Sequence, residues 1–254
     1  MSDLIVDFAG PVATATVNRP AARNAMTMAM YEALADFCAR VDDSPEVRVA
    51  VVRGAGGKAF VAGTDINHFR DFRGVADGIA YERRIESVLG RLEQVGVPTV
   101  AVVEGYATGG GLGIAAACDL RLCTPGARFG LPIARTLGNC VSMPTYARLA
   151  HLIGTARTLH LIYTAGFVDG AEAVRIGLAT ELVTDADTSL AELCTQLAGH
   201  APLTMRASKT ALRRLREHPL PPDEDLISLC YGSDDFREGV SAFLEKRPPR
   251  WRGR

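Results

Sequence analysis

Residues 108–120, TGGGLGIAAACDL, place three consecutive glycines at the head of an apolar segment that reads as a helix. One glycine there is explained by close packing of a helix end against a sheet. Three in a row are more than packing needs, and the free N–H groups at a positive helix N-terminus make a site for an oxygen that carries developing negative charge. The run also contains Gly111-x-Gly113-x-x-Ala116, the form of a dinucleotide-binding fingerprint. That reading lacks its acidic partner about twenty positions on, where the chain reads RFGLPIAR, and the next strand-like run, CDLRLCT, begins too soon for a βαβ unit.

Composition narrows the field. The 254 residues are 48% hydrophobic, enough for one large core. With 28 basic and 29 acidic residues the formal net charge is −1, which gives no electrostatic reason to expect nucleic acid or an anionic membrane as partner. The N-terminal MSDLIVDFAG has neither the basic segment nor the apolar run of a secretory signal, so a soluble, cytoplasmic protein is expected. Six cysteines and five histidines are dispersed without metal-ligand spacing, which predicts reduced thiols and no metal site.

Periodicity along the chain alternates between two and 3.6 residues. LIVDFA and VATATV predict a hairpin turning at Gly10-Pro11, and MTMAMYEALADFCARV an amphipathic helix capped by Thr27. The valine-rich runs VRVAVVRG and PTVAVVEG predict strands buried on both faces. DGAEAVRIGL predicts a short helix capped at Asp169 and stopped at Gly177. Beyond about residue 187 only helical patterns remain. The expected organisation is an α/β core over 1–190 and a helical region over 191–254.

A second glycine-bearing loop, GGKAFVAGTDINHF at 56–69, also follows a strand. Together with VNRPAARNAM, EGYATGGGLGIAAACDLRL, ARFGLP, AGFVDGAEAVRIGLATELV and the tail DDFREGVSAFLEKRPPRW, it resembles the enoyl-CoA hydratase/isomerase, or crotonase, family over nearly the whole chain. The resemblance implies a crotonase-like spiral of repeated strand-strand-helix units with C-terminal helices that assemble a homotrimer or a dimer of trimers. It also implies an acyl-CoA thioester as substrate, with coenzyme A part of that substrate and no separate cofactor. By position, the backbone N–H groups of Thr64 and Gly110 would form the oxyanion hole. Ala22, Arg23, Ala62, Asp65 and Ile66 would lie along the bound substrate, and Phe243 and Lys246 would reach the CoA of a neighbouring subunit.

The chain departs from the family at the positions that carry the two hydratase glutamates, here Gly113 and Ile133, neither of which can move a proton. They instead predict an apolar pocket with room beside the α-carbon. Asn139, Cys140 and Ser142 are candidate replacements, against the plainer reading of Ser142 as a helix cap and Cys140 as a core residue. Capping is the plainer role for Asp65, and packing for His68. Three functions stay open at this point: an acyl-CoA enzyme doing isomerase, hydrolase, decarboxylase or other enolate chemistry; a CoA-binding pseudoenzyme; and an RNA-binding relative using the basic stretch SKTALRRLR at 208–216.

Overall fold

The chain starts with a hairpin, as the alternation at its head requires: Ala13, Ala15 and Val17 are fully buried while their neighbours are not. β1 (Leu4–Ala9) pairs antiparallel with β2 (Val12–Val17), and Gly10 takes the left-handed conformation between them, φ 58°. The computed structural model describes residues 2–216 and 224–250. α1 (Met28–Asp42) follows, with the Thr27 hydroxyl accepting from the Met30 N–H at 3.3 Å. Its buried stripe of Met30, Tyr31, Leu34, Phe37, Cys38 and Val41 has the spacing of one helix face.

Three further windings repeat one pattern. β3 (Val49–Gly54) and β4 (Ala59–Val61) lead into α2 (Val75–Gln94). β5 (Thr99–Val103) and β6 (Tyr106–Thr108) lead into α3 (Gly110–Ala117). β7 (Leu120–Cys123) and β8 (Arg128–Gly130) lead into α4 (Ile133–Thr136), α5 (Met143–Ile153) and α6 (Thr155–Tyr163). β9 (Phe167–Asp169), α7 (Gly170–Arg175) and β10 (Glu181–Leu182) close the α/β part. The expected caps of α7 are present: Asp169 accepts from the Glu172 N–H, and Gly177 has φ 84°. Helices alone follow among the described residues: α8 (Ala186–Gly199), α9 (Pro202–Arg214), α10 (Glu224–Tyr231) and α11 (Asp234–Leu244).

Each winding contributes its first strand to a six-stranded sheet, ordered β1-β2-β3-β5-β7-β10, and its second to a four-stranded sheet, ordered β4-β6-β8-β9. The chain therefore climbs as a spiral. β3 and β5 are covered on both sides, with Ala50, Val52 and Ala101 in the main core and Val49, Val51, Val100 and Val102 beneath α8. α8 runs across residue 190, so the expected boundary falls inside a helix packed on the large sheet. α10 lies against α2, and α11 against α4 and the 3-10 turn Ile66–Phe69.

The loop VNRPAARNAM is fastened by one side chain. Asn24 is fully buried; its Oδ1 accepts from the Arg19 N–H at 2.9 Å, and its Nδ2 donates to the Ala55 and Ala59 carbonyls at 2.9 and 2.7 Å. Asn24→Ala would strand those groups, so a loss of about 1–3 kcal/mol is expected as a lower urea midpoint at unchanged slope. An unchanged midpoint would show that the loop is held elsewhere.

Candidate active site

β4 and β6 are parallel neighbours, Ala59 opposite Tyr106 and Val61 opposite Ala107, so the chain leaves both at the same sheet edge. After β4, the Met26 N–H donates to the Gly63 carbonyl at 2.9 Å and the Asp65 N–H to the Met26 carbonyl at 2.8 Å. This parallel bridge turns the N–H of Thr64, the residue between, away from Met26. After β6, Gly110 opens α3, where a helix N–H has no carbonyl four residues back to meet. Among the described residues no backbone acceptor takes either N–H, and both residues line one cavity.

Each glycine of the run has its own reason. Gly109 sits at φ 53°, where other residues are strained. A Cβ on Gly110 would come within 2.3 Å of the Tyr31 hydroxyl and 3.4 Å of Thr64 Oγ1. A Cβ on Gly111 would lie 2.0 Å from the Val61 carbonyl oxygen. The sequence suggested that packing alone was too little for three glycines, and the structure divides the work among a turn, a hydroxyl and a strand.

That hydroxyl belongs to a network the sequence did not reveal. Thr64 Oγ1 lies 3.0 Å from Tyr31 Oη and 2.6 Å from Tyr81 Oη. Burial pushes the Tyr31 phenol up to about 12 despite its bond to Thr64, and pushes Tyr81 well above the ordinary tyrosine value. Both stay protonated at neutral pH and hold the Thr64 side chain from two sides. Thr64 is thereby held in one position at the cavity wall.

The cavity holds about 180 Å³. Ile66, Phe69, Ile85, Leu89, Ile133, Leu137 and Val141 make it apolar, and Gly113 and Ile133 face it as expected. A Cβ at 113 would stand 3.1 Å from Leu89 Cδ1, so a larger residue there requires Leu89 to move. Of the three candidate replacements, only Asn139 lines the cavity. Its Nδ2 donates to the Cys140 carbonyl at 3.2 Å and to Tyr231 Oη at 3.5 Å, and its Oδ1 is buried without a partner. Cys140 is buried outside the lining. Ser142 caps α5, accepting from the Thr145 N–H, and donates to Glu86 at 2.8 Å, so its position serves the helix.

A carboxylate that the sequence pattern did not single out does reach the cavity. Glu82, only 5% exposed, lines it from α2, and its Oε1 accepts from Tyr231 Oη at 2.8 Å. In the sequence Glu82 stands inside YERRIES, where alternating charges look like a solvated helix face. The helical spacing to Ile85 and Leu89 was the available signal.

The other expected positions distribute as follows. Asp65 starts the 3-10 turn, accepting from the Asn67 N–H at 3.1 Å and pairing with Arg19 at 3.0 Å. Burial raises its pKa, but the Asn67 and Arg19 bonds together outweigh that and hold it below the usual carboxylate range. The His68 ring packs on Phe69, Phe72 and Tyr81, and its partial burial lowers its pKa. Ala22 and Arg23 are exposed, and the Ala62 N–H donates to the Arg23 carbonyl at 3.2 Å, which brings these three together. Phe243, expected to reach the CoA of a neighbouring subunit, lines the cavity of its own chain, where α11 packs over α4, and is 49% exposed. Lys246 is exposed just past that helix. Among the described residues no cluster of His, Cys, Asp or Glu could hold a metal ion.

The Tyr31 contact makes Gly110→Ala an overpacking change that should cost about 1–3 kcal/mol. Adding Tyr31→Phe removes the atom in the way, since the next ring atom stands 3.6 Å from that Cβ. Thermal unfolding of both variants should show the double variant recovering much of the loss. Simple additivity of the two losses would refute the packing argument.

Residues 7–254 match the family model described as enoyl-CoA hydratase/isomerase. The short-chain-enoyl-CoA hydratase of Clostridium acetobutylicum is 30% identical over 253 residues, covering 97% of this chain and 96% of that protein. The 2,3-dehydroadipyl-CoA hydratase of Escherichia coli is 32% identical over 261 residues, covering all of both. A solved enoyl-CoA hydratase/carnitine racemase structure from Magnetospirillum magneticum has TM-score 0.81 at 30% identity, covering 100% of this chain and 97% of that one. The fold thus has counterparts along the full length, and the chain belongs to the enoyl-CoA hydratase/isomerase family.

Proposed function

We propose that this protein binds acyl-CoA thioesters with the thioester oxygen on the N–H groups of Thr64 and Gly110, and that its chemistry runs through the resulting enolate rather than through hydration. The observation that carries this reading is the pair of N–H donors, taken by no backbone acceptor among the described residues, that opens into an apolar cavity. Donors aimed at an oxygen that gains charge, in a site that excludes water, stabilise the charged species more than the neutral thioester. Isomerisation, hydrolysis and decarboxylation of a thioester can all use that stabilisation. The scheme needs no cofactor beyond the CoA that the substrate brings. Ala22, Arg23 and Ala62 are assigned to the CoA moiety bound by the same chain and Lys246 to that of a neighbouring subunit, with the two cations pairing with phosphates.

The named relatives are hydratases, but hydration requires a water activated on one side and a proton delivered to the α-carbon. The positions that the family resemblance assigns to those tasks hold Gly113 and Ile133. A general acid or base contributes about 10²–10⁴-fold, so most hydratase activity should be missing. The RNA-binding alternative loses support from its own basic stretch, where Lys209 pairs with Asp119 at 2.7 Å and Arg216 with Glu93. Among the described residues no helix is long and apolar enough to cross a membrane.

Crotonyl-CoA hydration should therefore be slow while a saturated thioester binds in equilibrium dialysis, and turnover comparable to that of ordinary hydratases would overturn the reading. A gain in Gly113→Glu/Ile133→Glu would support it, provided Leu89 yields to the new side chain. The assembly should be a homotrimer or a dimer of trimers, since Leu203, Leu212 and Leu215 stand 76%, 60% and 70% exposed on and beside α9. Light scattering at micromolar concentration should show three or six chains; a monomer would sink that assignment.

A further inference from the structure

Once the two inherited carboxylate positions are empty of acid, the question is which group can take a proton from a thioester held by Thr64 and Gly110. We propose that Glu82 of α2 is that group, the catalytic base and acid of this site, working on acyl-CoA thioesters with an acidified α-carbon such as 3-enoyl chains. The assignment rests on the acyl-CoA reading above.

α2 turns one face to the cavity, with Tyr81, Glu82, Ile85 and Leu89 all in its lining. Tyr81 from this face touches Thr64 Oγ1, so the wall that carries the carboxylate also supports the oxyanion donor. The other acids of the helix have different partners. Asp77 accepts from the Arg73 and Gly74 N–H groups at its start. Glu86 takes Arg148 and Ser142, and Glu93 takes Arg148 and Arg216. None of these three lines the cavity, and Glu82 does.

The surroundings of Glu82 are built for it. One turn earlier stands Gly78, where a Cβ would fall 2.2 Å from Tyr231 Cγ. The tyrosine ring therefore lies flat against the helix backbone and delivers its hydroxyl to Glu82 Oε1 at 2.8 Å. Burial holds that phenol well above the usual tyrosine range, so it remains a donor. Asn139 Nδ2 stands 3.5 Å behind the Tyr231 oxygen and fixes it from the other side. A hydrogen-bonded carboxyl group facing a mostly apolar cavity is placed to accept a carbon-bound proton.

In the step itself, a Glu82 carboxylate oxygen forms a bond to the α-hydrogen. The electron pair of the broken C–H bond becomes the C=C of the enolate, and the carbonyl π pair moves onto the oxygen held by Thr64 and Gly110. Glu82, now neutral, returns the proton. Return to the α-carbon gives exchange with solvent once the carboxyl proton has been replaced; return to the γ-carbon of a 3-enoyl chain gives the 2-enoyl isomer. No atom or electron enters or leaves.

The test incubates the full chain with 3-hexenoyl-CoA in D2O, reading deuterium at the α-carbon and isomer by mass spectrometry and affinity by equilibrium dialysis. The parent should exchange, and Glu82→Gln should lose about 100-fold or more in rate while affinity stays within about threefold. Tyr231→Phe, which keeps the carboxylate, should lose only severalfold. Exchange by Glu82→Gln at the parental rate, with at most a lower melting temperature, would reduce Glu82 to a packing tie between α2 and α10 and overturn the proposal. A parent that binds without exchanging would overturn it as well. A parent that does not bind the thioester would sink the acyl-CoA reading itself, a result seen before any variant is made. Should Glu82→Gln fail to fold by circular dichroism, Glu82→Asp decides: a rate about tenfold lower at unchanged affinity supports the role, and an unchanged rate removes it.

Discussion

Parallel pairing of two three-residue strands fixes the position of everything that matters in the site. β4 and β6 end side by side, and because parallel strands run in one direction, the residues that follow them emerge at one edge. Thr64 and Gly110 are therefore neighbours despite the 46 positions that separate them. Only part of the glycine run follows from this proximity: Gly111 faces the Val61 carbonyl at the end of β4, whereas Gly110 yields to the Tyr31 hydroxyl and Gly109 to its own turn. The hydroxyls of Tyr31 and Tyr81 then close around Thr64, and two helices from successive windings meet at that side chain.

Around Thr64 and Gly110 the cavity is mostly apolar, and two of its polar residues, Glu82 and Asn139, are joined through a tyrosine behind the wall. Glu82, Tyr231 and Asn139 form a chain of contacts that begins on α2, passes through α10 and ends beside α4. Farther out on α2, the buried guanidinium of Arg148 takes up Glu86 and Glu93, which ties α2 to α5 and keeps those acids out of the cavity. The same helix thus uses adjacent turns for unlike purposes.

Much of this was legible in the residues. The hairpin, α1 with its Thr27 cap, the two valine-rich strands and the stop at Gly177 each depend on local chemistry, and each stands where its pattern puts it. The glycine run at 109–111 marked the site in sequence, and the family likeness supplied the partner loop, but the reason for each glycine, a turn and two close approaches, became visible only in the structure. The small sheet was harder to see, because strands of three residues are too short to show a period. Glu82 was hidden by its surroundings in the chain. The charged residues beside it belong to a solvated pattern, and only the packing of α10 on α2 turns that position inward. The cap at Ser142 and the burial of Cys140 were the plainer readings of those residues in sequence, and the structure has both; that Asn139 lines the cavity depends on how the segment before α5 folds over it.

The contact between Glu82 and Tyr231 joins residues 149 positions apart, whereas Thr64 and Gly110 lie within the first 110 residues. A chain emerging from a ribosome could therefore bring those two together long before Tyr231 and Phe243 exist. Contacts of such separation form late, because the loop between them must be closed first. The nascent protein would pass through a stage in which the cavity lacks the wall that α11 supplies and Glu82 lacks its Tyr231 contact, so the enclosure of the cavity is completed by the last helices to be made.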